Sequence, residues 1–215
     1  MADVSLPVQN SGANEIPGSV SSPAPYYDAS KRVADVILAA IGGSILLLPA
    51  CLIALVIRLT SKGPALHWSK RVGKNNTLFM MPKFRTMRVG TPQLATHLLQ
   101  DPSAHLTLVG RLLRKTSLDE LPQLYSILRG ELSFVGPRPA LFNQDDLVKL
   151  RTRHGVHLLV PGLSGWAQIN GRDELSIPDK VALEREYLRR RSLLFDLKIL
   201  VLTPIRAIFG VGVSH

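Results

Sequence analysis

The longest single pattern in the chain is an apolar run, residues 36–57, that carries no charged side chain. At about 22 residues it is long enough for one helix to cross the ~30 Å hydrocarbon core of a bilayer. Gly42, Gly43 and Ser44 lie near its middle, and Pro49 follows. Proline removes a backbone hydrogen bond and crowds the preceding turn, so the run predicts a bent helix with its bend at Pro49. Length alone fits a single-pass anchor equally well. The flanks separate the two: Lys31 and Arg32 precede the run, and Arg58, Lys62, Lys70 and Arg71 follow it. Lys and Arg tend to stay on the cytoplasmic side, which would keep both ends on one face. A re-entrant hairpin satisfies both flanks, and a straight span satisfies one.

Residues 1–25 are rich in Ser, Pro, Asn, Gly and Ala, too poor in large apolar groups to order themselves, and are expected to form a flexible tail. They lack the basic start and apolar stretch of a signal peptide. After Gly63 and Pro64 the pattern becomes mixed. Residues 65–68 and 78–81 predict short strands, and 83–87 continue the two-residue alternation, placing Lys83 and Arg85 on one face. Helices are expected over 92–100, 109–113 and 118–128, the last stopped by Gly130, and a basic helix over 178–191. Residues 195–209 are apolar with Asp196, Lys198 and Arg206 interspersed, which suits an interfacial helix better than a second span. There is no internal repeat. The pattern as a whole predicts an α+β fold, mostly helical, with short strands in one small globular domain.

Composition sharpens this picture. The 215 residues carry a net charge of +10, a pI near 10.2 and a positive mean hydropathy of +0.15, a combination of basic and apolar character unusual for a soluble domain. Such charge suits nucleic acid, an anionic lipid surface or phosphorylated small molecules, and does not itself choose among them. Cys51, the single cysteine, lies inside the apolar run, which excludes an intrachain disulfide and a cysteine-based zinc site. Cytoplasmic exposure is the simplest expectation.

The best clue to chemistry is the adjacent pair Asp119 and Glu120, preceded by Arg114 and Lys115. A carboxylate flanked by fixed cations stays ionised and can act as nucleophile, magnesium ligand or base, while the cations hold an anionic substrate, expected to be a phosphate ester. The spacing Ser117-x-x-Glu120 also fits a capping box. Pro122 is comfortable only in a first helical turn, so the helix is expected to begin near Leu118 or Asp119. There, exposed amides favour a bound phosphate and lower the Asp119 pKa. Helical neighbours point about 100° apart, which predicts different roles for the two carboxylates.

Gly136-Pro137-Arg138-Pro139 is too rigid for a helix and presents one guanidinium on a stiff loop, either as a ligand group or as a solvent-facing turn. Residues 161–172 combine a glycine-permitted turn with Trp166, Gln168, Asn170 and Arg172. Core packing of Trp166 and solvation of Arg172 are the plain alternatives. The run Arg189-Arg190-Arg191 is either a solvated helix face or a contact for anionic lipid. His154 and His157 have no evident third ligand and are assigned no metal. Phosphate-loop, dinucleotide and nucleophilic Ser or Cys signatures are absent.

Taken in order, Lys83-Phe84-Arg85-Thr86-Met87, Thr116-Ser117-Leu118-Asp119-Glu120-Leu121-Pro122, Val135-Gly136-Pro137-Arg138-Pro139 and Pro161-Gly162-x-x-Gly165-Trp166-x-Gln168-x-Asn170-Gly171-Arg172 resemble the bacterial sugar transferases. These are the monotopic polyprenyl-phosphate phosphoglycosyl transferases, and the resemblance runs from about residue 31 to the end. It implies transfer of a sugar-1-phosphate from a UDP-sugar to undecaprenyl phosphate, with release of UMP, at the first membrane step of surface glycan or glycoconjugate assembly. By this likeness Asp119 is the nucleophile that forms a phosphosugar-aspartyl intermediate, Glu120 assists as base or positioning group, and magnesium bridges Asp119 and the diphosphate. Lys83, Arg85, Arg114, Arg138, Gln168 and Arg172 are implied on the substrate and its phosphates. The chain departs from the family at Leu48-Pro49, where Ser-Pro is common, with Ser44 expected to stand in for the missing hydroxyl. It departs again at Glu184, before Tyr187, where many relatives carry Asp.

The resemblance implies four parts: a tail at 1–25, a re-entrant membrane hairpin at 26–60, a cytoplasmic catalytic domain at 61–192 and a membrane-interface helix at 193–215. The implied partners are a UDP-sugar, undecaprenyl phosphate and lipids of the bacterial inner membrane, with no nucleic acid, and a homo-oligomer is left open. An acetamido sugar is expected from likeness over residues 140–144. A basic membrane-tethered binding or scaffold protein without catalysis is the alternative, and it would have no need of Asp119.

Overall fold

The computed structural model describes residues 25–91, 104–171 and 175–208. The expected tail, apart from its last residue, the helix expected over 92–100 and Arg172 therefore lie outside the described residues. Within them the fold is α+β and mostly helical, as the pattern predicts.

Helix α1, Pro25–Thr60, contains the whole apolar run and continues as helix through Pro49. The bend expected at Pro49 is thus not accompanied by any loss of helical structure. Ser44 does not serve the carbonyl that Pro49 leaves without a donor, because its hydroxyl donates to Ala40 O at 2.9 Å. Among the described residues α1 is the one helix long and apolar enough to cross a membrane, by length and composition. Both of its arms pack on the same globular domain. In the first, Lys31 Nζ lies 2.8 Å from Asp196 Oδ2, Arg32 donates to the carbonyls of Ile127 and Leu128 at 2.6 and 2.7 Å, and Asp35 accepts from Phe134 N at 3.2 Å. Lys31 and Arg32, expected as flanking charges, are therefore engaged within the protein. Ala39 is fully buried beside Met81 and Ile127. In the second arm Ile57 is buried with Phe84 and Leu113, and Ala50 and Ile53 pack against that cluster.

Strands β1, Leu66–Val72, and β2, Leu78–Phe84, form an antiparallel hairpin, longer than the alternation alone marks out. Its turn places Asn75 and Asn76 at positive φ, which asparagine tolerates better than most residues. Two further strands, β3 at Ser133–Val135 and β4 at Ala140–Leu141, precede β5 at Gly162–Ser164. The hairpin is extended by β4 to give the order β2-β1-β4, and β3 pairs with β5 in parallel. Strands of two or three residues are too short to show a period, so sequence patterning does not mark them.

Helix α2, Leu108–Thr116, starts at Thr107, whose hydroxyl accepts from Gly110 N at 2.9 Å. The helix expected over 118–128 is divided into a 3-10 turn at Leu118–Glu120 and α3 at Gln123–Arg129. Pro122 has no N–H to carry the ladder across. Gly130 ends α3 in the left-handed region at φ 81°, as expected. Helices α4, Asp145–Arg153, and α5, Trp166–Ile169, precede α6, Ile177–Arg190, and α7, Leu193–Ile208. Inward from α6 and α7, Tyr187, Phe195 and Ile199 form a core with Val135 and Leu159. The outer face of α7 leaves Leu194, Leu197 and Val201 exposed, the two-sided pattern expected of an interfacial helix.

Helices α4 and α6 are joined by a buried bidentate pair, in which Arg151 Nε and Nη2 donate to Glu184 Oε2 and Oε1 at 2.8 and 2.5 Å. Glu184 thus has a structural partner, which accounts for a carboxylate at that position. Arg151→Ala strands a buried carboxylate and should destabilise the protein by about 3–5 kcal/mol. Thermal or denaturant unfolding in detergent checks this, and a loss below ~1 kcal/mol would contradict burial of the pair.

Candidate active site

The site is built on the 3-10 turn 118–120. Ser117 adopts the left-handed conformation at φ 57°, ψ 15° and donates its N–H to Arg114 O at 3.3 Å, so it closes α2. Its side chain caps nothing at the start of the turn. Glu120 does not reach back to Ser117; its Oε1 accepts from Lys83 Nζ at 2.8 Å. The capping-box alternative is therefore excluded. Successive side chains of a 3-10 helix diverge by about 120°. Asp119 accordingly turns inward, where it is 8% exposed, while Glu120 turns to Lys83 on β2. The two carboxylates have different surroundings, as their adjacency predicts.

Arg114, in the last turn of α2, donates from Nε to Thr86 Oγ1 at 3.1 Å and acts electrostatically with Asp119. Burial lowers the Arg114 pKa, and the Asp119 charge opposes that. Burial pushes the Asp119 carboxyl above its ordinary range, Lys83 and Arg114 pull it down, and Glu120 raises it further. This reverses the lowered pKa expected for a helix start. A three-residue turn ended by a proline presents little helix dipole, and the loss of water outweighs the cations.

On β1, Arg71 donates from Nε to Ser69 Oγ at 3.0 Å and from Nη1 to Pro139 O at 3.2 Å. The β1–β2 register pairs His67 with Lys83 and Arg71 with Phe79, so Lys83 and Arg71 emerge on one face of the hairpin. Burial and the charge of Arg138 lower the Arg71 pKa to about 10, and Glu120 opposes this. Arg138 is held by the stiff loop 136–139, whose Gly136 leaves no room for a side chain: a Cβ there would lie 2.4 Å from Val160 O.

Asp119, Glu120, Lys83, Arg114 and Arg138 are thus brought together. Arg85 and Gln168 are engaged elsewhere. The Arg85 guanidinium is buried against the end of α1, where Nη2 donates to Ser61 O and Oγ at 3.0 and 2.6 Å. Gln168 folds onto its own loop, Nε2 donating to Leu163 O at 3.0 Å. Trp166 packs on Phe195 at 5.0 Å between centroids and donates to Glu186 at 2.9 Å, the core role held open for it. In the basic run, Arg190 pairs with Glu186, and Arg191 reaches Asp28 at 3.4 Å. In the sequence Arg71 is marked only as a charge flanking the apolar run. The available signal was the alternation of Ser69 and Arg71, which gains meaning once the hairpin register is known. Among the described residues no group of three or more His, Cys, Asp and Glu side chains is placed to hold a metal ion.

The site is thus a buried carboxylate on a tight turn beside two cations, in a domain packed against one long apolar helix. The bacterial sugar transferase family model matches residues 26–210, and the chain belongs to this family. It is 41% identical over 173 residues to the undecaprenyl-phosphate glucose phosphotransferase of Komagataeibacter xylinus, covering 74% of this chain and 32% of that protein. It is 35% identical over 196 residues to the UDP-N-acetylgalactosamine-undecaprenyl-phosphate N-acetylgalactosaminephosphotransferase of Aeromonas hydrophila, covering 88% and 46%. It is 35% identical over 210 residues to the exopolysaccharide production protein ExoY of Sinorhizobium fredii, covering 87% and 89%. The chain therefore spans about a third of the first relative and nearly the whole of the last.

The raised Asp119 pKa has a consequence for stability. Below the ordinary carboxylate range the group is neutral in both folded and unfolded chains. As pH rises through the raised folded value, the unfolded chain ionises first and stability is lost. Asp119→Asn should therefore melt higher than the wild type at neutral pH, with the gain disappearing in acid. A lower melting temperature for the variant at pH 7 would contradict this account.

Proposed function

We propose that the protein transfers a sugar-1-phosphate from a UDP-sugar to undecaprenyl phosphate, releasing UMP through a phosphosugar intermediate on Asp119. One observation carries this reading: the Asp119 carboxylate, in the family's motif, is withdrawn from water beside Lys83 and Arg114. A desolvated carboxylate is a stronger nucleophile than a hydrated one, and the flanking cations offset its repulsion from a diphosphate. In the first step an Asp119 oxygen bonds to the sugar-bearing phosphorus while the bond to the bridging oxygen breaks, and UMP leaves. In the second, a phosphate oxygen of the lipid bonds to the same phosphorus and frees the carboxylate. Glu120 acts as a positioning group that holds Lys83, and Arg138 binds phosphate.

The Asp119 carboxylate suits a magnesium ion, which typically takes one or two carboxylates together with substrate phosphates, while Glu120 turns away to Lys83. Asp119 would be its protein ligand, and the ion would neutralise charge on the diphosphate when bound. The Aeromonas relative is named for an acetamido sugar and the Komagataeibacter relative for glucose. UDP-acetamido sugars are proposed as donors, with UDP-glucose and UDP-galactose as the competing choices.

The packing of α1 supports the re-entrant reading. Gly42 lies near Leu124, and Ala50 packs on the Phe84 cluster. The seven or so intervening residues span only about 10 Å of helix, against the ~30 Å needed to cross a bilayer core. Both ends would remain at the cytoplasmic face of the inner membrane, with the outer face of α7 on the lipid.

UMP release from a panel of UDP-sugars, with magnesium and undecaprenyl phosphate, tests the reaction. Asp119→Asn should lower the rate by about four to six orders of magnitude, and chelation should stop turnover until magnesium is restored. Normal turnover by this variant would refute the covalent route. For topology, single cysteines at Ala29 and Lys62 in a Cys51→Ser background should both be labelled from the cytoplasmic side. Labelling from opposite sides would establish a straight span.

A further inference from the structure

The cations around the turn fall into two sets. Lys83 and Arg114 act on Asp119 itself, whereas Arg71 acts with Arg138 and Glu120, and Glu120 also holds Lys83 at 2.8 Å. The second set is rigidly held. Arg71 is fixed on β1, and its Nη1 donates to the carbonyl of Pro139, the residue that follows Arg138 in its stiff loop. The hydrogen-bond acceptors of Arg71 are neutral oxygens, those of Ser69 and Pro139. Among the described residues neither Arg71 nor Arg138 forms an ion pair, while Lys83 and Arg151 each have a carboxylate. Two neighbouring guanidinium groups in half-buried positions repel one another, and a shared anion relieves the repulsion.

We propose that Arg71 and Arg138 form a paired guanidinium clamp for the phosphate that remains with uridine when the donor diphosphate is split. The inference rests on the reaction proposed above. As Asp119 bonds to the sugar-bearing phosphorus, the electron pair of the broken bond passes to the bridging oxygen, which leaves on UMP. That phosphate gains one negative charge during the step. Guanidinium groups already fixed where the charge develops stabilise it without having to reorganise, and two planar forks match two phosphate edges. Lys83 and Arg114 then serve the phosphorus under attack, and Arg71 becomes a binding residue for the leaving group.

The test is calorimetric binding of UMP and of uridine to the full chain in nanodiscs with magnesium, for wild type, Arg71→Gln, Arg71→Lys and Arg138→Gln. Arg71→Gln and Arg138→Gln should each weaken UMP roughly tenfold or more while leaving uridine unchanged. Arg71→Lys should fall between, because an ammonium keeps the charge and loses the fork. Should Arg71→Gln misfold by circular dichroism, Arg71→Lys and Arg138→Gln decide the question. Unchanged UMP affinity, or equal losses for UMP and uridine, would overturn the clamp. So would a wild type that turns over with no affinity for UMP. A wild type that releases UMP from no UDP-sugar would instead overturn the reaction on which the inference rests.

Discussion

The Asp119 carboxyl is almost completely withdrawn from water. An isolated charge in that position would be prohibitive, so the surrounding elements must supply compensation. Lys83 comes from the β hairpin, Arg114 from the end of α2, and both act on Asp119. The compensation is incomplete by construction, because Glu120 takes the Lys83 ammonium at 2.8 Å and adds a second negative charge. The balance leaves the Asp119 pKa raised. A site in this condition favours further positive charge or a ligand that draws on the carboxylate, and the proposed reaction provides both.

The same geometry depends on backbone choices on either side of the turn. Ser117 must take a left-handed conformation to end α2 and redirect the chain. Pro122 then prevents the turn from merging with α3, so Asp119 and Glu120 diverge as they would not at the start of a long helix. Arg32 satisfies the carbonyls at the end of α3, and Arg85 satisfies Ser61 just beyond α1. Charged side chains of the apolar helix and the hairpin therefore serve to seat α1 against the domain that holds the site. Arg85 contributes to that seating and not to the cluster around Asp119.

Much of this was legible in the sequence, and the failures have physical causes. The apolar run, the two strands of the hairpin, Gly130 as a stop and, to within two residues at each end, the helices 177–190 and 193–208 follow from periodicity and terminal residues. The carboxylate pair and Arg138 stand out because rigid or charged motifs surround them. Arg71 did not, because its neighbours are set by the pairing of β1 with β2 and β4, and cross-strand register is not a local property. Arg85 carried the alternation of its strand, yet the carbonyl of Ser61 captured its guanidinium. A helix start lowers a carboxyl pKa, yet that of Asp119 is raised, because burial is a property of packing that no local motif carries.

The central claim is that Asp119 carries the phosphosugar. Its most direct test is mass spectrometry of the protein quenched in acid after brief exposure to its UDP-sugar and magnesium, without undecaprenyl phosphate. The account predicts one added phosphosugar on the peptide containing Asp119, removed when the lipid phosphate is supplied. Release of UMP with no adduct, or an adduct on another residue, would contradict it.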